Sequence, residues 1–381
     1  MFRTALLAAA ILWPVAASAQ SAPPEVMAHY RVYAAEMRKA DPDREVLTEA
    51  AYDAWQEAED RLGSSRLTGD LAINFAESGG MTVRGEFIDL NDAYARSAEL
   101  ARYYPEGERM NVTADRRLLQ AQNALNRYTQ RTTLRDVRKI LDRLRRDLRD
   151  AGMGDSTYVG DLETLFTQAS IREGKNKTAL KHADLAHAAY ARANDDLPSL
   201  IRFQLPLFEA IAAQELGQHI RAGRTLQKLV EDHYELTGQY TGPSAGAYSR
   251  WLELRDDIRD RADEPEIAEL LAWTPPAASG TDEPAIRIPP VMPPSARSSG
   301  WVDLEFDIQP DGRIAADTVE VADSSGATFE RSAKSSLEKW VYPPGMPEGA
   351  RKGVTTRITF QLRRPNGSIM PPSREPPSQD R

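Results

Sequence analysis

The chain has 381 residues, a length for two or three domains, and 41% of them are hydrophobic, which suits folded cores joined by polar segments. It contains no cysteine, so disulfides, thiolate metal sites and cysteine nucleophiles are excluded. A net charge of −9 argues against general nucleic-acid binding.

The first residues read as a secretory signal peptide over 1–19. Arg3 is the basic start, residues 5–15 are apolar, and Ala17-Ser18-Ala19 is a small-residue cleavage site before Gln20. A spanning helix needs about 20 apolar residues. This run is shorter and carries Pro14, so cleavage between Ala19 and Gln20 is expected. An uncleaved inner-membrane anchor is the alternative.

Residues 26–273 are expected to be an α-helical domain, because apolar residues recur at helical spacing. Leu162, Leu165, Phe166 and Ala169 share one helix face. So do Leu134, Val137, Leu141, Leu144 and Leu148. Two segments look alike: Gly174 precedes Ala179, Ala183 and Ala186, and Gly217 precedes Ala222, Leu226 and Leu229. Each glycine lies between two helical patterns, and the small residues after it let paired helices approach closely. This spacing resembles a degenerate tetratricopeptide repeat. An irregular bundle of αα-hairpins is the alternative. A third hairpin is expected over residues 71–104, turning at Gly79-Gly80.

Residues 274–299 carry Pro275, Pro276, Pro284, Pro289, Pro290, Pro293 and Pro294 and read as a stiff linker. The tail, 364–381, is rich in Pro and Ser and reads as disordered.

Between them, residues 300–363 read as β-β-α-β. Val302, Leu304, Phe306 and Ile308 alternate with Asp303, Glu305 and Asp307, giving a strand with one buried and one acidic face. Pro310-Asp311-Gly312 is turn chemistry, and residues 314–321 read as the returning strand. A helix capped by Thr328 is expected, with Phe329, Ala333, Leu337 and Trp340 on its buried face and Pro343-Pro344 ending it. Val354, Thr356, Ile358, Phe360 and Leu362 alternate as a last strand. The expected core is Val302, Leu304, Phe306, Ile308, Phe329, Leu337 and Trp340. The fold class is therefore mainly α plus a small α+β domain.

The ordered set of Gly300 to Ile308 as Gly-x-Val-x-Leu-x-Phe-x-Ile, Asp311-Gly312-Arg313, Phe329-Glu330-Arg331 and Trp340-Val341-Tyr342-Pro343 resembles the C-terminal domain of the TonB family. The family's motif before the first strand matches Pro290, Val291, Met292, Pro293, Ala296 and Arg297, with Met292 in place of a tyrosine. The resemblance implies a periplasmic, non-enzymatic protein that takes a segment of an outer-membrane receptor as an added strand, and so serves transmembrane transport. It implies that Val354, Thr355, Thr356, Arg357, Ile358, Thr359, Phe360, Gln361 and Leu362 form the receiving edge. Coupling to an ExbB/ExbD-type motor is implied by the family, whereas a cleaved leader would remove its anchor. A periplasmic helical-repeat scaffold without a motor is the alternative function.

Three further patterns do not complete a chemical site. Gly242-Pro-Ser244-Ala-Gly246 fits a nucleophile elbow, yet no strand precedes it, so it reads as a turn between helices. Asp307-Ile-Gln-Pro-Asp311-Gly312 lacks the closing glutamate of a calcium loop, since Thr318 stands there. His182 and His187 are five apart, not the four that align metal ligands on a helix. No catalytic residue, metal, cofactor or small-molecule substrate is therefore expected.

Overall fold

The structure, a computed structural model, describes residues 22–80, 82–126, 134–193, 201–277, 283–362 and 370. The leader and its cut between Ala19 and Gln20 lie outside these residues, as do Arg363 and most of the tail. The described residues form thirteen α-helices, a two-stranded hairpin and a three-stranded antiparallel sheet. None of the helices among them is long and apolar enough to cross a membrane. The chain divides into two compact units after Arg202.

The first unit holds α1 (Pro24–Met37), α2 (Arg44–Leu62), α3 (Arg66–Ser78), α4 (Leu90–Leu100), α5 (Glu106–Asn126), α6 (Leu134–Asp150), α7 (Thr157–Arg172) and α8 (Asn176–Arg192). Side chains set several of their starts. Asp43 accepts from the Glu45 and Val46 amides before α2, and Ser65 accepts from Thr68 before α3. The helical-period apolar residues close two clusters. Trp55, Leu71 and Phe75 anchor one, and Leu141, Leu144, Leu165 and Phe166 the other. In the expected third hairpin, α3 ends at Gly79 with φ +79°, but a small hairpin, β1 (Thr82–Val83) and β2 (Glu86–Phe87), intervenes before α4. The apolar Val83, 4% exposed, joins the first cluster, which periodicity alone does not reveal.

Gly174 turns α7 into α8. It has φ +69°, and Lys175 N–H reaches back to Ser170 O at 2.9 Å. In the second unit, Gly217 turns α9 (Leu205–Glu215) into α10 (His219–Thr237) in the same way, with Gln218 N–H on Ala213 O at 2.9 Å. Both are left-handed glycine closures that satisfy the last helical carbonyls. Two αα-hairpins with the same turn are therefore present. α11 (Pro243–Ile258) follows Gly242, so the Gly-x-Ser-x-Gly stretch opens a helix and Ser244 Oγ accepts from the Thr241 amide. α12 (Pro265–Leu271) packs on α10, where Gly223 makes room for Leu270.

The three-stranded sheet has the order β4–β3–β5, from β3 (Gly300–Phe306), β4 (Glu320–Ser324) and β5 (Val354–Phe360). α13 (Ala327–Leu337) covers one face. All seven expected core residues are buried, joined by Ile314, Tyr342 and Met346. Three details differ from the sequence reading. The returning strand starts at Glu320, because Ala316–Thr318 is a 3-10 turn and Ile314 makes only an isolated bridge to Ile308. Gly326, not Thr328, occupies the cap position of α13. Trp340 lies past the helix end, held by its amide on Leu337 O at 2.8 Å.

Candidate partner-binding site

β5 is an edge strand, and its register with β3 fixes which of its peptide groups face outward. Ile358 pairs with Val302, Thr356 with Leu304 and Thr355 with Glu305. Trp301 O accepts from Ser325 N–H at 2.9 Å, so the main chain of Trp301 faces β4. Main-chain groups alternate sides along a strand. Val302, Leu304 and Phe306 therefore face β5, where they meet Ile358, Thr356 and Val354. It follows that the N–H and C=O groups of Thr355, Arg357 and Thr359 point away from β3. Among the described residues no strand lies beyond β5. The edge is seven residues long, about 20 Å at the usual strand rise.

The edge is held stiffly. Arg357 grips Asp303 on β3 through two bonds of 2.7 and 2.8 Å, and its guanidinium lies 4.9 Å from the centre of the Trp301 ring. At one end, Asp307 accepts from Lys352 at 2.7 Å and from the Gly353 amide at 2.9 Å, which together hold its carboxyl below the usual range. At the other end, Leu362 N–H reaches Ser299 Oγ at 2.9 Å. Side-chain alternation puts Ile358 and Phe360 in the core and leaves Thr355 and Thr359 exposed. Val354 and Thr356 are half-buried, and Gln361 is exposed just beyond the strand.

The motif segment before β3 takes a different place. Its main chain is bonded to α13 and the residues after it, rather than to β5. Val291 O accepts from Ser332 Oγ, and Ile288 O accepts from Ser336 Oγ and from Trp340 Nε1. Met292 and Ala296 rest on the core, with Ala296 N–H on Pro293 O at 3.0 Å. Val291 is 78% exposed, and Arg297 is exposed. A cavity of about 610 Å³ lies between residues 288–295 and α13. Upstream, Ile286 exchanges two main-chain bonds with Val341, at 3.0 and 3.2 Å. The part of the Pro-rich stretch from Ile286 to Ala296 is thus fastened to the module, with the apolar Ile286, Met292 and Ala296 among the prolines, whereas Pro276 O and Ala277 O accept from Tyr240 and Tyr234 near the end of α10.

Two features had weak signals in sequence. Trp301 falls on the face assigned to solvent, yet it is 2% exposed. An aromatic flanked by an otherwise acidic alternation was its only sign. The second is a contact between α11 and the turn after β3. Arg255 binds Asp311 at 2.6 Å, Tyr248 donates to Asp311 O at 2.8 Å, and Arg313 reaches both Asp256 and Leu252 O. Burial raises the Tyr248 phenol above its ordinary pKa, with the Asp311 charge adding to it.

Residues 290–362 match the family model of the Gram-negative bacterial TonB protein C-terminal. Protein TonB of Escherichia coli K12 is 34% identical over 74 residues, 19% of this chain and 29% of that protein. Protein TonB of Klebsiella pneumoniae is 39% identical over 80 residues, 20% of this chain and 31% of that protein. The chain thus spans about a third of the length of these curated relatives.

Proposed function

Because residues 290–362 are a TonB-family C-terminal domain, we propose that this chain is a periplasmic binding protein whose β5 edge takes an extended segment of an outer-membrane transporter as a fourth strand. The observation that carries the reading is the outward main chain of Thr355, Arg357 and Thr359 on an edge with no further strand among the described residues. Strand addition draws affinity from such main-chain groups. The grip of Arg357 on Asp303 prepares the edge before the partner arrives, which lowers the ordering cost of binding. The activity is capture rather than catalysis. Export by the leader over 1–19 places the chain in the periplasm, and retention of that leader would tether it to the inner membrane near an ExbB/ExbD-type motor.

A second reading is a scaffold whose helices bind envelope proteins without a motor. The contact of α11 with the Asp311-Gly312-Arg313 turn favours it, since the module is braced by the helices that precede it.

The test is a proline scan of the edge. Proline removes one N–H, and at an outward position it leaves the β3–β5 ladder intact. Thr355→Pro and Thr359→Pro should each weaken capture of receptor segments at least about tenfold, while the alanine variants bind normally. Wild-type affinity in both folded proline variants would remove strand addition and leave the scaffold.

A further inference from the structure

The cavity between residues 288–295 and α13 has no part in strand addition at β5. Two serines of α13 hold its sides together: Ser332 Oγ donates to Val291 O, and Ser336 Oγ to Ile288 O. Pro289, Pro293 and Pro294 stiffen the wall that faces the helix, since each fixes its own φ. The cavity, about 610 Å³, falls within the usual range for ligand sites, ~300–1,000 Å³. The groove is thus formed before a ligand arrives, which lowers the ordering cost of binding.

The lining carries unused charge. Arg331, Ser335 and Lys339 follow one another at i, i+4 and i+8 along α13 and the turn that ends it, so they form one row. All three are exposed on the groove, and none of their side chains has a hydrogen bond or ion pair with another described residue. Their neighbours are occupied. Phe329 packs on Phe360, Glu330 accepts from Ser324 at 2.7 Å, and Lys334 donates to Val319 O at 3.2 Å. Of the motif Phe329-Glu330-Arg331, Arg331 alone is therefore left for a partner. Among the described residues, none that lines the groove carries a carboxylate, although the whole chain has a net charge of −9. Arg287, whose guanidinium lies 5.4 Å from the centre of the Trp340 ring, adds a further positive charge beside Ile288.

The lining also carries unused apolar surface. Nine large hydrophobic side chains are exposed among the described residues, and the two that belong to the C-terminal module, Ile288 and Val291, both lie on this groove. From Arg331 to Lys339 the helical rise gives about 12 Å. In an extended chain, side chains at i, i+2 and i+4 share one face, and i and i+4 stand about 13 Å apart. Acidic residues at i and i+4 of an extended segment would thus meet both cations, with an apolar residue at i+2 falling between them toward Ile288 and Val291. A helical ligand would not fit, because its i and i+4 side chains start only about 6 Å apart. We propose that this groove binds an extended acidic peptide segment of a partner protein, in the pattern acidic-x-apolar-x-acidic. Its contacts are made by side chains, so the site is independent of the β5 edge.

The experiment titrates the full chain into a rhodamine-labelled heptapeptide, Ala-Glu-Thr-Val-Thr-Glu-Ala, at low salt, read by anisotropy. Binding should exceed that of the same peptide with Gln for both Glu by at least about tenfold. Arg331→Gln and Lys339→Gln should each weaken it about three- to fivefold, the upper range of an exposed ion pair, with the unfolding midpoint unchanged. Val291→Ser should weaken it about threefold. Lys228→Gln, which removes an exposed cation on α10, should leave it unchanged. Moving the second Glu one place, in Ala-Glu-Thr-Val-Glu-Thr-Ala, should lose most of the gain, because that side chain then turns to the other face. Equal binding of the Gln peptide, unaltered binding in both cation variants, or a loss in Lys228→Gln as large as theirs would overturn the site. Equal binding of the shifted peptide would overturn the extended pattern. Displacement by citrate as strong, mole for mole, as by the unlabelled peptide would overturn the peptide as the ligand.

Discussion

Arg255 on α11 and Asp311 in the turn after β3 lie 56 residues apart in sequence and 2.6 Å apart in space. Both are only partly exposed, and the same turn is held by Tyr248 and by Arg313 bonding back to α11. A load on β5 would pass through β3 and this turn into the helices. A double-mutant cycle of Arg255→Ala and Asp311→Ala should give a coupling of about 1 kcal/mol, above the usual value for a free surface pair. Urea unfolding of the second unit measures it, and a coupling of zero would make the contact incidental.

Trp340 is buried and donates from Nε1 to Ile288 O at 3.1 Å, so it joins the Pro-rich segment to the core. Trp340→Ala leaves a cavity and removes one of the two donors to Ile288 O, which keeps Ser336 Oγ. It should destabilise the module by about 3–5 kcal/mol. The same change should make residues 286–292 sensitive to protease. An unchanged unfolding midpoint would refute the packing.

The strands and helix faces of the C-terminal domain were legible in the sequence because they follow local periods. Val302, Leu304 and Phe306 alternate, and Phe329, Ala333 and Leu337 recur by helical turns. Which peptide groups of β5 face outward was not legible. That depends on the β3–β5 register, set by Asp303–Arg357 and Asp307–Lys352, pairs 54 and 45 residues apart. The fastening of Ile286 to Val341 was hidden for a like reason: proline composition speaks for extension but not for what an extended chain lies against. Asp70, Asn74 and Glu77 on α3 have the spacing of an ordinary solvated helix face. Only tertiary packing shows that Asn74 is buried.

Gly312 combines φ +84° with a close approach, since a Cβ there would lie 2.0 Å from Tyr342 O. Its own carbonyl accepts from the Tyr342 amide at 2.8 Å. Gly312→Ala meets both a left-handed backbone and a backbone clash. It should cost at least about 1–3 kcal/mol and detach the turn from α11. Thermal unfolding checks the cost, and faster hydrogen exchange at the Tyr342 amide checks the detachment.

Glu77 and Asp115 give the first unit a pH dependence of definite sign. Folding raises Glu77 from 4.5 to about 7 and Asp115 from 3.8 to about 6. The native state therefore holds protons that the unfolded chain has released, and stability falls as pH rises between the two sets of values. Below about 4 both states are protonated and the penalty vanishes; above about 7 both are ionised and it is constant. Glu36, Glu59 and Glu173 have lowered values, so their opposite effect lies at lower pH, whereas burial also raises Asp70 and adds to the fall. After allowance for partial water access, Glu77 should account for a loss on the order of 2 kcal/mol across that window. Urea midpoints of the first unit should drop from pH 5 to pH 7.5 in the wild type and drop by clearly less in Glu77→Gln, where only the smaller shift of Asp115 and that of Asp70 remain. A wild-type midpoint that rises over the same interval would show that Glu77 is ionised throughout and already paired.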